Sequence, residues 1–189
     1  IQFCEKYCQY VDEGYTDVIH VPINRSGSST YNNAVMAQGM LREERPEHHL
    51  NIHLLDPHTY SMVFGWYLCE MARKLQNGAE LRHVISEFET QMNKMEVILG
   101  PYSLKQMKKS GRISAAAAVM GELMGIRPII TLIDGKTGVE SKVRGDDKVI
   151  PAMIDLCKKR TEGVEDFDYM IGHTSIPQAV ELEKACRKA

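Results

Sequence analysis

Short β-rich runs alternate along the chain with longer segments whose apolar positions recur at helical spacing, and each change marks a new element. Phe3, Tyr7, Tyr10 and Val11 recur at helical spacing until Gly14, so the chain opens in a helix. Residues 17–23 are β-branched and short, with Pro22 near their end, which predicts a buried strand. Helical spacing returns over residues 31–41. Residues 42–49 form a charged connection broken by Pro46, and residues 50–55 predict a second buried strand. A polar loop over 56–61 then feeds a helix over 62–76. Two consecutive strand-loop-helix units predict parallel pairing. After Asn77-Gly78, the spacing of Leu81, Val84, Ile85, Phe88 and Met92 predicts a helix over 79–95, followed by a short strand over 96–99.

The pattern changes character at Gly100-Pro101, which sets the expected boundary between an α/β domain over 1–99 and a second α/β domain over 100–189. Ser103-Leu104-Lys105-Gln106 has the form of a capping box for a short helix ending at Gly111. Residues 115–125 predict a helix of small residues. Two β-rich runs, 127–133 and 139–144, flank Asp134-Gly135-Lys136-Thr137-Gly138, a hairpin signature. A helix is expected over 146–160, acidic at its start and basic at its end, then a strand over 167–172. Ser175-Ile176-Pro177-Gln178 caps a last helix running through Arg187. The expected fold is α/β, with a partial parallel-sheet domain followed by a second α/β domain that contains an antiparallel hairpin.

Composition narrows the function more than the fold. A formal net charge of -2 and a pI near 6.4 give no electrostatic footprint for nucleic acid. The densest basic groups, within 105–112 and 158–160, read as solvated helix faces. No apolar run is long enough for a membrane span and no secretory signal pattern is present, so a cytoplasmic location is expected. Five scattered cysteines fit reduced thiols better than a disulfide framework. Cys4 and Cys8 share one face of the first helix, but no second ligand pair follows at zinc-site spacing. They read as small buried hydrophobes, and no metal is expected.

The candidate chemistry lies where the first strand ends. Asn24-Arg25-Ser26-Gly27-Ser28-Ser29-Thr30-Tyr31 sets hydroxyl residues around a glycine, between a strand and a helix. Ligands of open α/β sheets sit beyond the carboxyl ends of strands, where a starting helix offers unpaired N–H groups to an anion. Ser28, Ser29 and Thr30 would add hydroxyl donors. The plainer alternative is that Ser28 or Ser29 only caps the helix. Ser61, before the helix over 62–76, is read first as a cap and second as a lining residue of the same cleft. Gly135-Lys136-Thr137 has the ending of a P-loop, but Ile130 stands where the earlier glycine belongs, so nucleotide binding is not expected.

Taken together, these motifs resemble the DegV family of bacterial fatty-acid-binding proteins. The family's Ser-Gly-Thr-Tyr stands here as Ser28-Ser29-Thr30-Tyr31, with Ser29 replacing the glycine, and its Gly-Gly-Arg-Ile as Ser110-Gly111-Arg112-Ile113. Arg127-Pro128-Ile129-Ile130, Asp134-Gly135, Lys142-Val143-Arg144 and Gly172-His173 follow in family order. The resemblance implies a non-catalytic, cytoplasmic carrier without cofactor that holds a long-chain fatty acid between two domains. It further implies that Ser28, Ser29 and Thr30 bind the carboxylate, that Arg112 supplies charge near it, and that Arg144 lies on a surface used by a fatty acid kinase. It also implies two pocket elements outside this sequence: a threonine before Ile1 and a His-Thr-Gly-Pro-Gly segment after Ala189, a role His173 does not take. The competing reading is a serine-dependent hydrolase or acyltransferase using Ser28. A hydrolase elbow needs glycines where Ser26 and Thr30 stand, and no His and Asp partners can be assigned.

Overall fold

The computed structural model describes residues 1–110 and 125–189. Two compact units divide it, Ile1–Met95 and Glu96–Ala189. In the first, helix α1 (Gln2–Asp12) leads into strand β1 (Asp17–His20), helix α2 (Thr30–Glu44), strand β2 (Asn51–Leu54), and helices α3 (Met62–Gln76) and α4 (Leu81–Met92). As the repeated strand-loop-helix pattern predicts, β1 and β2 pair in parallel, Asp17 opposite Asn51 and His20 opposite Leu54.

Successive strand residues point to opposite faces, and this alternation builds a helix layer on each side. Val18 and Ile52 join the cluster around Cys4, Tyr7, Ala37, Leu41 and Leu50, which glues α1 and α2 to one face. Ile19 joins Leu55, Met71, Val84, Phe88 and Met92, which seats α3 and α4 on the other. Ala34 and Ala37 in α2 are almost fully buried, so small residues bring that helix close to its neighbours. Both strands are shorter than their β-branched runs. Beyond His20 and Leu54 the chain turns into the two loops that form the site.

The second unit holds strand β3 (Glu96–Leu99), helix α5 (Lys105–Ser110), strands β4 (Ile126–Ile133) and β5 (Lys136–Arg144), and helices α6 (Val149–Arg160) and α7 (Ile176–Lys188). The sheet is antiparallel in the order β3-β4-β5. β3 therefore belongs with the second sheet, four residues before the change of pattern at Gly100-Pro101. Asp134 and Gly135, both at positive φ (46° and 73°), make the two-residue turn of the β4–β5 hairpin, the primed geometry that matches strand twist. Pro128 lacks an N–H for the ladder. It lies where β4 has only β5 beside it, since β3 runs no farther than the Leu99–Ile130 pair. Ile129, Val149 and Leu156 pack α6 on this sheet, and Arg160 ties it to Glu96 at 3.4 Å and Glu140 at 3.0 Å.

Three expectations change here. Residues 167–172 form no strand; Phe167, Tyr169 and Met170 are exposed and have no paired neighbour strand among the described residues. Asp146–Lys148 is a 3-10 turn, and the helix proper starts at Val149. Ser175 stands at the N-cap of α7, but its hydroxyl meets the Gln178 side chain rather than a backbone N–H. The small-residue helix expected over 115–125 falls almost wholly outside the described residues. Among the described residues no helix is long and apolar enough to cross a membrane.

Candidate functional site

Parallel pairing of β1 and β2 brings the loop after each strand to the same sheet end. Leu55 N–H donates to His20 O at 3.0 Å, which extends the register by one step before the two loops open. Each loop then folds around an Asx turn, in which a short side-chain acceptor takes the N–H two residues on. Asn24 Oδ1 accepts Ser26 N–H and Ser26 Oγ, both at 3.1 Å. Asp56 Oδ1 accepts His58 N–H at 3.0 Å.

The same two residues bind the loops to each other. Asn24 is 1% exposed; its N–H donates to Thr59 O at 3.2 Å and its side-chain amide to the Tyr60 hydroxyl at 3.1 Å. Asp56 Oδ1 also accepts Arg25 N–H at 3.2 Å. Gly27 lies against Tyr60 so closely that an added Cβ would sit 1.4 Å from the hydroxyl oxygen. Any larger residue there would have to displace the Tyr60 side chain. Thr59 is also buried, and its Oγ1 has no hydrogen-bond partner among the described residues.

On this frame the serine run meets the start of α2. Ser28 Oγ and Thr30 Oγ1 share a 2.6 Å hydrogen bond, and Thr30 N–H donates to Ser28 Oγ at 3.2 Å. Ser29 occupies the N-cap, but its hydroxyl makes no capping bond and the residue is exposed. Its φ of -72° shows that serine fits without strain where the resemblance places glycine. The capping alternative thus falls to Ser28 alone. α2 is 15 residues long with no acidic residue in its first turn, so its positive dipole end meets no carboxylate of its own first turn. A cation is close in sequence: the Arg25 guanidinium lies 5.0 Å over the Tyr31 ring.

Ser28, Ser29 and Thr30 lie together at the start of α2. Ser61 takes the N-cap of α3 at φ 67° without a side-chain capping bond. Arg112 lies outside the described residues, and Arg144 is an exposed residue ending β5 in the second unit. Sequence reasoning placed Asn24 and Arg25 in the candidate stretch and residues 56–61 in a polar loop, but gave Asn24, Arg25, Asp56, Thr59 and Tyr60 no individual role. Asn24 and Asp56 carried a readable signal, each being an Asx residue just beyond a predicted strand. The roles of Thr59 and Tyr60 depend on the pairing of two loops some thirty residues apart.

These features define an α/β fold with a run of hydroxyl residues at the carboxyl end of its parallel strands. A family model described as "Uncharacterised protein, DegV family" matches residues 1–188, and the chain belongs to that family. It is 30% identical over 161 residues to a DegV domain-containing protein of Clostridium acetobutylicum, covering 84% of this chain and 56% of that protein. A DegV domain-containing protein of Clostridium perfringens is 28% identical over 158 residues, with 84% and 55% covered. The chain spans about half the length of these curated relatives. The crystal structure of a fatty acid binding DegV family protein from Streptococcus agalactiae superimposes with a TM-score of 0.80 at 25% identity, covering 99% of this chain and 64% of that one. That of a DegV family protein from Corynebacterium glutamicum gives 0.81 at 23%, covering 100% and 69%, a likeness of fold.

Proposed function

We propose that this chain supplies the carboxylate seat of a cytoplasmic, non-catalytic carrier of long-chain fatty acids. The observation that carries the reading is the Ser28–Thr30 hydroxyl pair at the acid-free start of α2, held by two cross-linked strand-end loops. It is supported by solved family members named for the same ligand class, the Streptococcus agalactiae protein and a DegV lipid binding protein from Thermotoga maritima, each 25% identical to this chain.

The division of labour follows from magnitudes. Each buried methylene of a fatty acid is worth roughly 0.8 kcal/mol, whereas a helix N-terminus contributes roughly 0.3–1 kcal/mol to an anion. The tail sets affinity, and Ser28, Ser29 and Thr30 set which end of the molecule lies at α2. Arg112 adds charge near the carboxylate in this reading, and Arg144 belongs to the surface that meets a fatty acid kinase as the carboxyl group is presented to it. Catalysis by Ser28 gains no support from the site: its hydroxyl is engaged by Thr30, and no histidine is bonded to it among the described residues.

Native mass spectrometry of the gently purified full-length protein, followed by titration with palmitate, tests the carrier reading. A co-purified acyl species or saturable palmitate binding is expected; neither would reject it. Covalent labelling of Ser28 by a serine-reactive phosphonate would favour the hydrolase instead.

A further inference from the structure

A second cluster lies on the helical layer built by α1 and α2. Cys4 and Cys8 are one helical turn apart on α1, so both thiols project from the same face. By sequence alone this pair lacks further ligands. The tertiary packing supplies one: Glu44, the last residue of α2, reaches the pair, and Cys8 Sγ lies 3.6 Å from Glu44 Oε2. One ligand atom from each of Cys4, Cys8 and Glu44 lies within 4.8 Å of the others.

We propose that Cys4, Cys8 and Glu44 form a binding site for a thiophilic divalent cation of the zinc class, with water in the fourth position. Tetrahedral zinc with Zn–S near 2.3 Å and Zn–O near 2.1 Å places a sulfur and an oxygen ligand about 3.6 Å apart and two sulfurs about 3.8 Å apart. The Cys8–Glu44 separation already meets the first value. Three protein ligands with one open position is an established zinc arrangement, and mixed sulfur and carboxylate donors suit a borderline-soft ion. Binding converts two thiols to thiolates and releases both protons to solvent, while the Glu44 carboxylate coordinates without proton exchange. Because the ligands come from two helices, the ion joins α1 to the C-terminal end of α2.

The test is a Co2+ titration of the 189-residue chain carrying Cys69→Ser, Cys157→Ser and Cys186→Ser, which removes the other thiols. One equivalent of Co2+ should give thiolate-to-cobalt charge transfer and tetrahedral d–d bands, and one equivalent of Zn2+ should bleach them and raise the Tm. Cys8→Ala, at a half-buried position, should weaken binding by more than the roughly 10–100-fold typical of losing a residue that merely supports a ligand. Glu44→Gln, on an exposed carboxylate, should weaken it at least about tenfold with α1 and α2 still folded by circular dichroism. Absence of charge transfer, or charge transfer unchanged by Cys8→Ala, would overturn the site. Unchanged affinity in Glu44→Gln would overturn the three-ligand assignment.

Discussion

Ser28→Ala separates the two roles open to this hydroxyl. The substitution removes the 3.2 Å bond from Thr30 N–H and the 2.6 Å bond with Thr30 Oγ1. Both are partly exposed, so water replaces much of what is lost. A cost of about 1 kcal/mol is expected, the usual loss for a polar residue at a helix start. If the whole chain melts together, that lowers Tm by about 2–4 °C. A donor to an ionised carboxylate is worth about 1.5–3 kcal/mol, which corresponds to a roughly 10- to 150-fold weaker Kd. Calorimetric titration with palmitate, alongside thermal melts, reads both quantities on one preparation. Ser29→Ala is the matched control because its hydroxyl caps nothing: Tm should stay within about 1–2 °C, a surface-scale effect of under about 0.5 kcal/mol, while Kd rises. A Tm loss in Ser28→Ala with palmitate affinity unchanged would refute the seat and leave the serine as a cap.

Thr59→Val keeps the shape of the side chain but removes a buried hydroxyl that has no partner among the described residues, so the ligand-free protein should gain roughly 1 kcal/mol in denaturant unfolding; a comparable loss would show that Oγ1 is bonded. Gly27→Ala must push the Tyr60 hydroxyl off Asn24 and should cost roughly 1–3 kcal/mol, with wild-type stability refuting the close packing of the loops. His20 packs edge-on to Phe3 and Tyr7, and burial holds its pKa below the usual 6.5. Its neutral form is therefore favoured in the fold. The stability it contributes is full above about pH 6.5 and is lost as pH falls from there through the lower folded pKa. Tm should fall on acidification more steeply in the wild type than in His20→Gln, and equal slopes would refute this. For Arg112→Ala, affinity for the acid should drop more than affinity for the alcohol of equal length; equal losses would remove its electrostatic role.

Periodicity by itself determined the elements that answer to local physics. The helix over Met62–Gln76 ends where Asn77-Gly78 breaks it, and Asp134-Gly135 turns the hairpin because both positions take positive φ. Repetition of strand, polar loop and helix was enough to predict parallel pairing of β1 and β2, and the serine run was visible as the place where strand gives way to helix. Local pattern misled where partners decide the outcome. Residues 167–172 are apolar enough for a strand, yet a strand needs a neighbour to satisfy its backbone groups, and none of the described strands pairs with them. β3 reads like its predecessors but joins β4, because strand pairing depends on residues thirty positions away. The same reason governs the site. Ser28, Ser29 and Thr30 could be read along the chain, whereas the joining of two loops by Asn24 and Asp56 required the parallel register that sets them side by side. Glu44, thirty-six residues beyond Cys8, was charge on a helix end until packing of α1 on α2 placed it beside two thiols. Sequence specifies chemistry at short range; only the fold decides which distant groups share it.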